Sequence, residues 1–102
     1  MKISTDIVTD PICAFVVNEA KKINATQVVL FGSQARHDAR NFSDYDFAIS
    51  GNYDHNQWAR FTLDVEENLP ALRNIDLVDL NSASREMRTS IEREGIVLFK
   101  NE

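Results

Sequence analysis

The sequence predicts an α/β sheet domain, because short apolar runs of strand character alternate with segments of helical periodicity. Four segments of strand character cover residues 28–31, 45–50, 75–80 and 96–99, and the connections between them are short. A length of 102 residues suits one domain, residues 1–102, with a single hydrophobic core.

The first half of the chain is predicted to form a helix, a strand and a second, shorter helix. Asp10 suits the N-cap and Pro11 the first turn of a helix that continues to about Ile23. Residues 28–31 are apolar and predict a buried central strand. A short helix over residues 33–38 and a polar loop are expected before the second strand, residues 45–50.

The second half is predicted to contain two helices and two strands. A helix over residues 55–68, which Pro70 terminates, is expected from one stripe of helical spacing: Trp58, Phe61, Thr62, Val65 and Leu69. This stripe is more typical of core packing than of ligand binding. After the strand at residues 75–80, Ser82 is the expected N-cap of a last helix, and Gly95 suits its C′ position. Residues 96–99 are expected to return as a final strand.

Composition and charge exclude several classes of protein. The chain is 43% apolar and 26% charged, as globular proteins are. No apolar run approaches the roughly 18 residues that span a membrane, and the N-terminus does not resemble a signal peptide. A net charge of −5 argues against direct binding of nucleic acid and is compatible with a basic protein partner. The single cysteine, Cys13, predicts a cytoplasmic protein with a buried, inert thiol.

The residues after the first strand suit a bound triphosphate. Residues 32–36 read Gly-Ser-Gln-Ala-Arg. Gly32 allows a close approach of the backbone to a phosphate, and N–H groups at a helix start favour an anion. The Ser33 hydroxyl and the Arg36 guanidinium add donors. Ser43 is more typical of a turn before Asp44 than of a substrate contact.

Three carboxylates predict a metal site beside that turn. Side chains alternate along a strand, so Asp44 and Asp46 share one face. Their mutual repulsion is relieved by a divalent cation, and Mg²⁺ is commonly held by carboxylates and substrate phosphates. Asp76 on the next strand can complete the set and activate an incoming hydroxyl. Asp79 lies on the opposite strand face and is expected to be structural.

Each feature alone has an ordinary explanation. A Gly-Ser pair after a strand often marks only a turn, and a single Asp-x-Asp is usually a solvated strand end. Neither His37 nor His55 has the spacing of a metal ligand, and both are expected at the surface. The ordered combination of turn, Asp-x-Asp and third acid nevertheless favours a nucleotide site.

Residues 32–49, taken with Asp76, resemble the DNA polymerase β-like nucleotidyltransferase superfamily. More narrowly, the pattern is similar to the minimal nucleotidyltransferases of bacteria and archaea, called MNT domains. The resemblance implies the nucleotidyltransferase fold, an α/β (α+β) domain with a small mixed sheet of about four strands flanked by helices. It also implies metal and catalytic roles for Asp44, Asp46 and Asp76, with nucleotide contacts from four residues: Gly32, Ser33, Arg36 and Ser43. The family commonly has glycine where this chain has His37.

The resemblance also implies a reaction and a partner. Mg²⁺ (or Mn²⁺) and ATP are the expected cofactor and substrate, and AMP would be transferred to a hydroxyl of a helical HEPN-type protein. The chain would then be the antitoxin of a toxin–antitoxin pair. Two alternatives stay open from the residues: an antitoxin that neutralises its partner by occlusion without catalysis, and a nucleotidyltransferase acting on a small molecule such as an antibiotic.

Overall fold

A computed structural model describes residues 2–3, 10–32, 45–70 and 74–101. The described residues form five strands, three helices and one 3₁₀ turn. In chain order these are β1 (Lys2–Ile3), α1 (Pro11–Lys22), β2 (Ala25–Phe31), β3 (Tyr45–Gly51), α2 (His55–Asn68), β4 (Ile75–Asp79), the 3₁₀ turn (Leu80–Ser82), α3 (Arg85–Glu94) and β5 (Ile96–Lys100). The expected helix over residues 33–38 lies outside the described residues.

The strands form one mixed sheet in the order β1-β5-β2-β3-β4. β2 is antiparallel to both of its neighbours, whereas β3 pairs in parallel with β4 and β1 in parallel with β5. The predicted mixed sheet and the central position of β2 are therefore confirmed. The two-residue β1 was not expected, and β2 begins at Ala25, earlier than the apolar run suggests.

The main core lies between one face of the sheet and the helices α1 and α2. Phe47, Phe61, Val16 and Val65 are fully buried there. Trp58 and Leu69 pack against the same cluster, so the apolar stripe of α2 is core as predicted. None of the described helices is both long enough and apolar enough to cross a membrane.

Among the residues that the structure describes, α3 packs against the opposite face of the sheet. Ile91 is the buried residue of that helix, and it packs with Val29, Ala48 and Val97. Asp46 and Asp76, the acids discussed below, lie two register positions from the Ala48–Val78 pair of this cluster, towards the end of the sheet where β3 and β4 begin.

Helix ends agree with the sequence for α1 and differ for α3. Asp10 caps α1 by accepting hydrogen bonds from the backbone N–H groups of Ile12 (2.8 Å) and Cys13 (3.3 Å). The predicted cap of α3 at Ser82 is wrong, because Ser82 lies within the 3₁₀ turn and Ser84 caps the helix. Both serines suit a cap, and the turn uses the first of them.

Gly95 ends α3 for a reason other than the predicted one. Its φ is −77°, so it does not adopt the left-handed conformation of a glycine at C′. A Cβ at this position would instead overlap the side chain of Val29 and would lie 2.6 Å from the carbonyl oxygen of Ile91. Gly95 therefore permits close packing of α3 against β2.

Candidate active site

Phe31, Asp46 and Asp76 form one row across three neighbouring strands, and two of them are predicted site acids. The register pairs Phe31 with Asp46 across β2 and β3, and Asp46 with Asp76 across β3 and β4. Neighbouring strands are spaced by about 4.8 Å, so the two carboxylates are adjacent across the sheet. The row lies where β2 ends and where β3 and β4 begin.

Both acids project from the sheet face against which α3 packs. Register partners in a sheet point to the same side, and Phe31 packs with Val29 and Ala48 on that face. Asp46 is half-buried and Asp76 is exposed. The intervening residues Tyr45 and Phe47 are buried on the other face, which confirms the predicted alternation along β3.

Gly32 lies directly against the Asp46 carboxylate. Its φ is +73°, a conformation that side chains with a Cβ rarely adopt. A Cβ built on Gly32 would overlap a carboxylate oxygen of Asp46. Position 32 therefore requires glycine for two reasons: its backbone is left-handed, and the Asp46 carboxylate occupies the space that a Cβ would fill.

The arrangement suits a hard divalent cation. Two carboxylates on adjacent strands repel one another, and oxygen donors of this kind are those that Mg²⁺ prefers. Across the described residues, no group of three His, Cys, Asp or Glu side chains converges on one point. The other predicted site residues, Ser33, Arg36, Ser43 and Asp44, lie outside the described part of the chain, as does His37.

Asp79 has a structural role at the far end of β4, as predicted. Its carboxylate accepts hydrogen bonds from the Tyr53 hydroxyl (2.6 Å), the Asn81 N–H (3.1 Å) and the Ser82 hydroxyl (3.1 Å). Burial, together with the Asp79 charge, raises the pKa of Tyr53 above its usual range. This acid therefore holds the 3₁₀ turn and lies away from the Asp46–Asp76 row.

Two further predictions concern residues outside the row, and both are confirmed. Cys13 is buried, and burial followed by the nearby Asp10 charge raises the pKa of its thiol to about 12, which favours the unreactive protonated form. His55 is exposed at the start of α2.

One contact near the row was not expected from the sequence. The Tyr45 hydroxyl donates a hydrogen bond to Asp10 Oδ2 at 2.7 Å. Strand alternation predicts that Tyr45 faces the core, and Asp10 before Pro11 predicts a helix cap, but neither pattern predicts that the two side chains meet. The sequence could have suggested a contact of this kind, because the hydroxyl of a buried tyrosine usually has a hydrogen-bond partner.

Residues 15–102 match the family model described as polymerase beta, nucleotidyltransferase. The match spans most of the chain, so this protein belongs to that nucleotidyltransferase family. No significant match was found among curated proteins.

Solved structures of similar fold include minimal nucleotidyltransferases from toxin–antitoxin systems. A structure described as a candidate minimal nucleotidyltransferase is 28% identical, with a TM-score of 0.65, over 81% of this chain and 85% of that chain. A toxin–antitoxin structure with AMP-PNP is 22% identical, with a TM-score of 0.69, over 85% and 72% of the two chains. The third, at 22% identity and a TM-score of 0.55 over 84% and 73%, is from Shewanella oneidensis and contains a tri-AMPylated HEPN toxin with its MNT antitoxin. At 22% identity the last two establish the shared fold.

Proposed function

We propose that this protein is a Mg²⁺-dependent nucleotidyltransferase that transfers AMP from ATP to a hydroxyl of a HEPN-type protein, and so acts as its antitoxin. The observation that carries the proposal is the in-register pair Asp46 and Asp76, with Gly32 against the first acid, in a chain of the nucleotidyltransferase family. A cytoplasmic location follows from the same proposal and suits the single buried thiol.

The donor set fits a divalent metal. Asp46 and Asp76 would hold it, with Asp44 added from the Asp-x-Asp pattern of the sequence. When bound, the metal would supply charge neutralisation for the triphosphate. For the triphosphate itself we propose contacts from Gly32, Ser33, Arg36 and Ser43, of which the first borders the acid row.

Asp76 is proposed to receive the proton of the acceptor hydroxyl. The bond from the acceptor oxygen to the α-phosphorus forms while the bond from that phosphorus to the leaving pyrophosphate breaks, and the proton passes to the Asp76 carboxylate. Asp76 is exposed and belongs to β4, a strand at the edge of the sheet. An acceptor carried by another protein can therefore approach it from outside this chain.

The proposed partner rests on the structural relatives and on charge. One relative was solved with AMP-PNP in a toxin–antitoxin structure, and another as an MNT antitoxin with an AMPylated HEPN toxin. The net charge of −5 favours a partner with a basic surface.

The test is transfer of label from [α-³²P]ATP to a HEPN-type protein supplied as the partner. With Mg²⁺ present, we expect the partner to gain the mass of AMP. Asp46→Asn and Asp76→Asn should abolish the gain. Asp79→Asn is the matched control, because it removes an acid of the same strand from the opposite face and should leave transfer intact.

The alternatives predict different results in the same assay. If Asp46→Asn still neutralises the toxin in cells and no AMP is transferred, occlusion accounts for the antitoxin action. If an aminoglycoside is modified efficiently without any partner, the chain is a small-molecule transferase. Either result would overturn the proposed protein acceptor.

A further inference from the structure

We infer that Tyr45 is a positioning residue for the metal-binding acids, acting through its hydrogen bond to Asp10. The inference rests on the proposed function, because it concerns how firmly the same acids are held. Tyr45 is the first residue of β3 and separates Asp44 from Asp46 in the chain. Whatever fixes the backbone at Tyr45 therefore also helps to fix the strand position from which Asp46 projects.

The side chain of Tyr45 ties β3 to the start of α1. Its hydroxyl donates to Asp10 Oδ2 at 2.7 Å, while Oδ1 of the same carboxylate accepts from the backbone N–H of Ile12 at 2.8 Å. One carboxylate oxygen of Asp10 therefore caps α1, and the other accepts the hydrogen bond from Tyr45 of β3. The Tyr45 ring is only 7% exposed and stacks on Phe47 at 6.0 Å between centroids.

The backbone of Tyr45 ties β3 to the start of β4. Its N–H donates to the carbonyl oxygen of Asn74 at 3.1 Å, just before the strand that carries Asp76. The Tyr45–Ile75 register pair precedes the Asp46–Asp76 pair by one residue. One residue therefore joins α1, β3 and β4 immediately next to the acid row.

This junction matters for metal binding because ligand geometry has a narrow tolerance. Side chains alternate along the strand, so the orientation of the buried Tyr45 determines where Asp46 projects on the other face. A metal or catalytic constellation must be held within about 0.5 Å of its productive geometry. Strand ends fray most readily, and the phenol anchors the end nearest to Asp46.

A hydrogen bond that only stabilised the fold would leave the metal affinity of the folded protein unchanged. Tyr53→Phe provides the matched control for that possibility. The Tyr53 hydroxyl lies 2.8 Å from the Ile49 carbonyl oxygen and 2.6 Å from Asp79, at the other end of β3 and β4. Tyr45→Phe and Tyr53→Phe each remove one partly buried phenol hydroxyl, but only the first lies beside the acids.

The experiment measures Mn²⁺ binding to the folded 102-residue chain by electron paramagnetic resonance of the free ion. We expect Tyr45→Phe to weaken Mn²⁺ binding about fivefold, the factor that corresponds to one net hydrogen bond. Tyr53→Phe should bind Mn²⁺ as the wild type does. Urea unfolding of both variants should show similar losses of stability.

Asp10→Ser tests the other partner of the bond. Serine is an equally good N-cap, so α1 keeps its cap, but its side chain is too short to reach the Tyr45 hydroxyl. We expect the same weakening of Mn²⁺ binding as in Tyr45→Phe. Combining the two substitutions should weaken binding no further, because both remove one shared interaction.

The possible failures are distinguishable. If the wild type binds Mn²⁺ and Tyr45→Phe binds it equally well, the positioning role is wrong while the proposed function stands. If the wild type does not bind Mn²⁺, the proposed function fails first and the inference fails with it. Equal weakening in Tyr45→Phe and Tyr53→Phe would also overturn the inference, because it would show a general effect of stability.

Discussion

Substitution of Gly32 by alanine should separate the folding role of this residue from its role beside Asp46. The backbone at Gly32 has φ of +73°, and placing a residue with a Cβ there costs about 1 kcal/mol or somewhat more. The new Cβ would also overlap the Asp46 carboxylate and push that side chain off its rotamer. An off-rotamer side chain costs about 0.5–1.5 kcal/mol.

These two contributions predict a loss of about 2 kcal/mol in the free energy of unfolding of Gly32→Ala. For a domain of this size the melting temperature should fall by roughly 10 °C. Mn²⁺ affinity should fall further than stability alone explains, because the Asp46 carboxylate leaves the row. Loss of one charged ligand contact corresponds to a dissociation constant that is about tenfold to hundredfold larger.

Gly51→Ala is the matched control for this experiment. A Cβ at Gly51 would lie 2.5 Å from the Cα of Ala25 and 2.6 Å from the carbonyl oxygen of Asn24, so it must also destabilise the fold. Gly51 is at the opposite end of β3 from Asp46. We therefore expect a lower melting temperature and unchanged Mn²⁺ affinity.

Differential scanning fluorimetry measures the melting temperatures of the two glycine variants, and Mn²⁺ titration measures their affinities for the metal. The reasoning is refuted if Gly32→Ala is destabilised but binds Mn²⁺ with the affinity of the wild type. It is also refuted if Gly51→Ala loses Mn²⁺ affinity to the same extent, because the effect would then not depend on the contact with Asp46.

Further expectations concern the acids, the thiol and the cap of α3. Mg²⁺ or Mn²⁺ should raise the melting temperature of the wild type by relieving repulsion between the acids, and an equal rise in Asp46→Asn/Asp76→Asn would contradict the metal site. Asp76→Ala should lower kcat of AMP transfer while ATP binding, measured by calorimetry, survives; an unchanged kcat would remove Asp76 from the reaction. The Cys13 thiol, whose pKa is raised from 9.0 to about 12, should resist iodoacetamide at pH 8 until the protein is unfolded. Because the raised pKa favours the protonated thiol in the folded state, the Cys13 thiol contributes stability below pH 9, and this contribution should be lost as the pH rises from about 9 towards about 12. Urea unfolding of the wild type and of Cys13→Ala at several pH values can check this. Ser84→Ala should cost about 1 kcal/mol of stability through loss of the cap, whereas Ser82→Ala should cost less; the reverse order in urea unfolding would contradict the observed cap.

Much of the fold followed from local patterns in the sequence. Asp10-Pro11 predicted the start of α1, and the spacing of apolar residues predicted α2, because helix caps and helical periodicity depend on residues a few positions apart. The failure at Ser82 has a local cause as well. Two serines two residues apart both suit a cap, and the choice between them depends on the 3₁₀ turn, which Asp79 and the Arg88 guanidinium hold through hydrogen bonds.

The family could also be inferred from the sequence, because the Gly-Ser turn and the Asp-x-Asp spacing that carry the resemblance are local patterns. Strand alternation, which is also local, predicted that Asp46 projects from the face opposite to Phe47. The sequence predicted that Asp76 lies near Asp46, but the direct register pair of the two could not be predicted, because it depends on the parallel pairing of β3 with β4. The same holds for the contacts around the row. The contact between Gly32 and Asp46 joins two strands, and the hydrogen bond between Tyr45 and Asp10 joins a strand to the start of α1. Such contacts exist only once the sheet and α1 have packed together.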